Sequence, residues 1–124
     1  MRNGSNKAAR GRMSYESGLA AEDRISTDYE RRGFPVTRRR WRGQAGEIDL
    51  VARDGDGIVF IEVKQSRTFD DALAHLSDRQ IARLYAAAEE YVANEPKGCL
   101  TDIRFDVALV NGQGEFKIIE NAFA

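Results

Sequence analysis

The sequence predicts one mixed α/β domain, a central sheet flanked by helices. Two helical stripes and five short strand-like runs follow the order helix, three strands, helix, two strands, which places a sheet between helical layers. A length of 124 residues suits one core, and 42% hydrophobic content is enough to fill it. Charged residues, at 31%, are too few beside that apolar share to keep the chain unfolded.

The elements follow in order. Met1 to Met13 carries Arg2, Lys7, Arg10 and Arg12 and no acid, so residues 1–13 are expected to form a disordered basic tail ahead of a domain at 14–124. Ser14 to Arg32 reads as a helix, because Leu19, Glu22, Ile25 and Tyr29 recur at spacings of three and four. Ser14 is the expected N-cap and Gly33 the expected stop. Glu22 lies in that otherwise apolar stripe, and a carboxylate aimed at a core needs a partner. After Pro35, Val36 to Arg42 reads as a strand. Simple alternation puts Arg38, Arg40 and Arg42 on one face and Thr37, Arg39 and Trp41 on the other.

Two further strands, Glu47 to Arg53 and Ile58 to Lys64, flank Asp54-Gly55-Asp56-Gly57, a strong hairpin signal. Thr68 to Asp71 reads as a loop. Ser77 to Asn94 reads as a second helix with the stripe Ile81, Leu84, Tyr85, Ala88, Tyr91 and Val92, capped by Ser77 and closed by Pro96-Lys97-Gly98. Strands Asp102 to Val110 and Glu115 to Glu120, joined at Asn111-Gly112-Gln113-Gly114, complete the chain.

Composition narrows the chemistry. The one cysteine, Cys99, excludes an internal disulfide and a multi-cysteine zinc site. His75 is the one histidine, so a metal here must be bound mainly by carboxylates, which suits Mg2+ or Mn2+. No apolar run approaches the roughly 20 residues of a membrane span. No hydrophobic segment follows the basic start, so a cytoplasmic protein with no membrane partner is expected. The net charge of −1 hides an asymmetry: residues 1–42 hold eleven Lys/Arg against five Asp/Glu, and the remainder eight against fifteen. A basic first third beside an acidic remainder suits a polyanion held next to a carboxylate site.

The hairpin is the most informative segment. A turn at Gly55-Asp56, or over the whole of Asp54 to Gly57, sets Asp49 opposite Glu62 and Glu47 opposite Lys64. All four are expected on one face, with Ile48, Leu50, Ile61 and Val63 as core on the other. Opposed Cβ atoms stand about 4.5–5.5 Å apart, where two carboxylates repel unless one is protonated or a cation neutralises both. A divalent, oxygen-seeking cation answers that need, and Lys64 adds a fixed positive charge. Asp49 and Glu62, with the carbonyl of Val63, would hold the ion, and Lys64 would orient water or stabilise charge on a phosphoryl group. Arg38, Arg40 and Arg42, with Arg79 and Arg83 four apart on the second helix, would hold a nucleic-acid backbone.

Asp49 followed by Glu62-Val63-Lys64 resembles the PD-(D/E)XK nuclease signature, an acid on one strand and acid-x-Lys on the next. Over roughly Tyr15 to Ile118 the chain also resembles the YraN family. The likeness lies in Gly18-Leu19-Ala20-Ala21-Glu22, Arg40-Trp41-Arg42-Gly43, Gly46-Glu47-Ile48-Asp49-Leu50, Phe60-Ile61-Glu62-Val63-Lys64 and Arg104-Phe105-Asp106. That family is regarded as endonucleases akin to archaeal Holliday-junction resolvases. The resemblance implies a restriction-endonuclease-like fold, a divalent metal and a DNA substrate, branched or junction DNA included. It gives Glu22 the role of the first-helix acid, catalytic and metal-facing, beside Asp49, Glu62 and Lys64. Gln80 becomes a supporting residue by the same resemblance, and Glu47 is one by its expected pairing with Lys64. Ile48 stands where many superfamily members carry proline. Ser66 stands where many carry arginine, and Tyr85 falls one place later than the RecB-like spacing from Gln80.

The expected function is a Mg2+- or Mn2+-dependent endonuclease acting on DNA. The alternative is a nuclease fold that binds nucleic acid without cutting. A homodimer would suit a substrate with two strands to cut.

Overall fold

A computed structural model describes residues 18–123 of the chain. The expected basic tail and the Ser14 cap lie outside the described residues. Helix α1 is described over residues 18–31. Strands β1 (Val36–Arg42), β2 (Glu47–Asp54) and β3 (Gly57–Gln65) follow. Helices α2 (Phe69–Ala74) and α3 (Asp78–Val92) lead through a short 3-10 turn, Gly98–Leu100, to β4 (Ile103–Val110) and β5 (Phe116–Ile119). The five strands form one mixed sheet in the order β1-β2-β3-β4-β5. All neighbours are antiparallel except β3 and β4, which are parallel and joined by the crossover through α2 and α3.

The mixed α/β architecture is the one expected, a restriction-endonuclease-like sheet flanked by helices. One element differs. The segment expected as a loop at Thr68 to Asp71 starts a helix, with Thr68 as N-cap accepting the Asp71 N–H at 3.0 Å. Six residues with only Ala72 buried show no helical period, so capping and packing on β4, not pattern, form it. The Ser77 cap is as expected, its hydroxyl accepting the Gln80 N–H at 3.2 Å.

The sheet is covered on both sides. Under α1 lie Ala21, Ile25 and Tyr29 with Leu50, Ala52, Val59, Ile61, Ala108 and Val110. Under α3 lie Leu84, Ala87, Ala88 and Val92 with Ile48, Val51, Ile58, Phe60 and Phe105. Trp41 joins this second cluster, its ring meeting Tyr91 edge-on at 5.2 Å. Adjacent β2 and β3 residues alternate between the two clusters along most of the hairpin, as a two-sided sheet requires.

Among the described residues the most deeply buried charged group belongs to Asp106. Asp106 on β4 is 1% exposed. It accepts the Tyr29 hydroxyl at 2.6 Å, the Arg104 guanidinium at 2.9 and 3.0 Å, and the Asn121 N–H at 3.0 Å. A buried carboxylate with this many donors is compensated, and it ties α1, β4 and the C-terminal turn together. Burial and the adjacent carboxylate push the Tyr29 phenol well above its ordinary pKa, so it stays a donor. Removing that donor leaves a buried oxygen short of a partner. Tyr29→Phe is therefore expected to lower stability by about 2 kcal/mol, read by urea denaturation with an unchanged m-value.

Candidate functional site

The β2–β3 ladder runs from Asp54–Gly57 to Leu50–Ile61 in the register that the hairpin turn predicts. Gly55 opens the turn with φ of 60°, a conformation that suits glycine. Beyond Leu50–Ile61 the partners change: β2 continues along β1 through Arg42↔Glu47, while β3 continues along β4 through Lys64↔Leu109. At the point of divergence a side chain replaces the ladder. Asp49 Oδ2 accepts the Val63 N–H at 2.8 Å. The carboxylate is thereby pinned to β3 at the residue next to Glu62.

Lys64 completes the group, its Nζ 3.5 Å from Glu62 Oε2 with both side chains largely buried. Glu47 does not face Lys64 as simple ladder counting expects. It pairs with Arg42 at 2.9 Å, because the strands have parted by that point and Glu47 follows its β1 neighbour. The face expected for Ile48 also changes. Ile48 packs under α3 and Leu50 under α1, so alternation breaks at Asp49.

The break has a counterpart on β1. The ladder skips the pair between Arg39↔Leu50 and Trp41↔Ile48, and Arg40 there has φ of 50°. A non-glycine residue in this region costs of order 1–3 kcal/mol. The kink overturns the expected alternation of Arg38, Arg40 and Arg42. Neighbours Arg39 and Arg40 both reach α1, Arg39 to Asp23 and Arg40 to Glu22, the latter through Nε at 3.0 Å and Nη2 at 3.4 Å. Glu22 is 8% exposed, so the partner that its place in an apolar stripe requires is Arg40.

The loop between β1 and β2 is held by a residue that pattern reading passes over. Glu90 on α3 accepts the backbone N–H of Gln44 at 2.9 and 3.0 Å and that of Ala45 at 3.3 Å. A Cβ at position 43 would stand 2.5 Å from the Glu90 carboxylate, so glycine there admits the contact. No local signal marks Glu90, whose partners lie 45 and 46 residues away. Arg83, two helical turns earlier, borders Gly46 of the same loop. Arg38, Arg79 and Arg83 are exposed, and Gln80 is half-buried with its Oε1 lacking a hydrogen-bond partner.

The profile described as "Uncharacterised protein family UPF0102" matches residues 21–110. The chain belongs to the UPF0102 family. A UPF0102 protein of Ruegeria pomeroyi is 58% identical over 116 residues, covering 94% of both chains. One from Cereibacter sphaeroides is 57% identical over 114 residues, covering 92% of this chain and 97% of the relative. One from Roseobacter denitrificans is 50% identical over 114 residues, covering 92% and 88%. The span shared with UPF0102 contains Glu22, Arg40, Asp49, Glu62, Lys64 and Glu90. Among the described residues no helix is long and apolar enough to cross a membrane.

The electrostatics of this UPF0102 site centre on unbalanced negative charge. Burial is the main cause that lifts the Glu62 carboxyl, to about 8. Asp49 adds to the rise, and Lys64 offsets part of it. Burial likewise lifts Asp49, against the pull of the Val63 N–H and Lys64. Glu22 is lifted by burial, with Arg40 opposing and Asp49 and Glu47 adding. Glu62 Oε1 is buried without a hydrogen-bond partner. An orphaned carboxylate oxygen beside a second carboxylate fits a hard divalent cation in its donor chemistry. Among the described residues no three His, Cys, Asp or Glu side chains converge to hold a metal by themselves.

The pH dependence follows from these shifts. Glu62 stays protonated in the fold up to about 8, whereas in the unfolded chain it ionises near 4.5. Unfolding then releases a proton, and stability falls as pH rises between those values. In chelator, the melting temperature is expected to decline from about pH 5 to about pH 8, and Glu62→Gln to decline less. Equal slopes in the two proteins would contradict the assignment.

Proposed function

We propose that this UPF0102 chain is a Mg2+- or Mn2+-dependent endonuclease that hydrolyses DNA phosphodiester bonds, with branched or junction DNA as its substrate class. It is the reading to which the likeness to PD-(D/E)XK nucleases and the YraN family also points. The observation that carries it is the replacement of a ladder bond by the Asp49 carboxylate, which presents two partly buried acids and Lys64 at one point of the sheet. Partly buried acids set side by side next to a lysine, with their carboxyls shifted upward, are suited to chemistry.

Asp49 and Glu62, with the Val63 carbonyl, would hold the cation, and Glu22 would face it from α1. When bound, such an ion polarises a phosphoryl oxygen and makes water more acidic. The chain's own residues do the rest. Val63 N–H fixes the direction of the Asp49 carboxylate. Lys64, held at Glu62, orients the attacking water and offers positive charge to the phosphoryl oxygens as they gain charge. Arg38, Arg79 and Arg83, all exposed, would meet backbone phosphates, with Arg42 shared between that task and Glu47. Gln80 and Glu47 would support the site from α3 and β2.

Incubating the chain with branched, duplex and single-stranded DNA plus Mg2+ or Mn2+ tests the proposal. Cleavage is expected, with a loss of at least about 100-fold in Lys64→Ala. Cleavage that persists unchanged in that variant would rule out the assigned chemistry. A second reading, a nuclease fold that binds nucleic acid without cutting, is favoured by one observation: Glu22 is engaged by Arg40, which leaves two acids at the fork. That reading expects DNA binding with a steep salt slope and no uptake of Mn2+.

A further inference from the structure

Arg39 and Arg40 engage consecutive acids of α1, and the two ion pairs differ in kind. Arg39–Asp23 joins two side chains that are 46% and 62% exposed, so it is worth little. It needs no unusual backbone, since among the described residues outside glycine only Arg40 and Asn121 have positive φ. Arg40–Glu22 joins a guanidinium 36% exposed to a carboxylate 10% exposed, and its arginine is the residue in the left-handed kink. Tying α1 to β1 is therefore already served by Arg39. The strained residue accomplishes something else: it carries a positive charge to the acid of α1 that lies in the field of Asp49 and Glu47.

We infer that Arg40 is a built-in counter-ion of the acidic centre, a positioning residue that occupies Glu22 and competes with a divalent cation for it. Both Glu22 oxygens are engaged by the guanidinium, at 3.0 and 3.4 Å. With Glu22 so engaged, no three acids converge to hold a metal among the described residues. Turning the Glu22 carboxylate from Arg40 toward Asp49 and Glu62 would give the centre a third acid. Arg40 would then give up Glu22 as its partner. The exchange couples two charges of like sign: a cation entering the centre repels the guanidinium, and DNA phosphate arriving at β1 attracts it away.

The inference rests on the cation reading of the centre, and the test separates the two. MnCl2 alone is titrated calorimetrically, at low ionic strength, into the full chain and into Arg40→Gly, Arg40→Gln and Arg40→Lys. Glycine accepts the positive φ without strain, and glutamine keeps the side-chain bulk if the glycine variant folds poorly. Loss of the competing charge is expected to tighten Mn2+ binding about tenfold in the Gly and Gln variants, and Arg40→Lys should stay near wild type. In chelator the two neutral variants should melt below wild type, and saturating Mn2+ should raise their melting temperature more than that of wild type. Wild type that binds Mn2+ while the neutral variants bind it equally or more weakly would overturn the counter-ion role and leave the cation reading intact. No Mn2+ uptake by any of the four proteins would overturn both.

Discussion

A single hydrogen bond, from Val63 N–H to the Asp49 carboxylate, marks the place on which the site depends. Up to Leu50 and Ile61 the hairpin is an ordinary ladder, and beyond it β2 and β3 take different partners. Two diverging strands leave backbone donors without a neighbour. A buried donor without a partner costs free energy, so the gap must be filled by side chains. Filling it with a carboxylate satisfies the N–H and at the same time sets a negative charge beside Glu62. The same act that repairs the sheet creates the electrostatic problem that the surrounding residues manage.

Charge balance at this fork is local and incomplete. Lys64 offsets Glu62, Arg42 offsets Glu47, and Arg40 offsets Glu22. Asp49 has the Val63 N–H and only the more distant pull of Lys64. The residue of negative charge appears as upward displacement of three carboxyls, all led by burial. The neighbouring strand β4 shows the contrasting solution, at the residue paired with Ile61. Asp106, more deeply buried than any of these, receives four hydrogen bonds from three partners and serves as a closed structural anchor. Two acidic centres of one sheet thus differ in how far their charge is satisfied, and the unsatisfied one is the candidate for chemistry.

Much of this was legible in the chain. The turn residues at 54–57 are enough to set the β2–β3 register, because side chains repeat every two residues and the turn length decides what faces what. The helical stripe that includes Glu22 correctly implies a buried acid with a partner. Ladder counting carried too far was misleading: it placed Glu47 at Lys64, whereas strand exchange sends Glu47 to Arg42. Strict alternation on β1 likewise missed the kink that turns Arg40 toward α1. Helix α2 was invisible because one buried alanine gives no period.

Sequence alone determined what depends on neighbours in the chain: the strands, the two long helices, and the hairpin register as far as Leu50 and Ile61. Tertiary structure decided what depends on elements far apart: which strand each arm of the hairpin follows, which acid each arginine neutralises, and how Glu90 secures a loop 45 residues away. The physical reason is range. Periodicity and turn geometry are local and written in adjacent residues, whereas the partner of a buried charge is chosen by whatever the finished fold brings within a few ångströms.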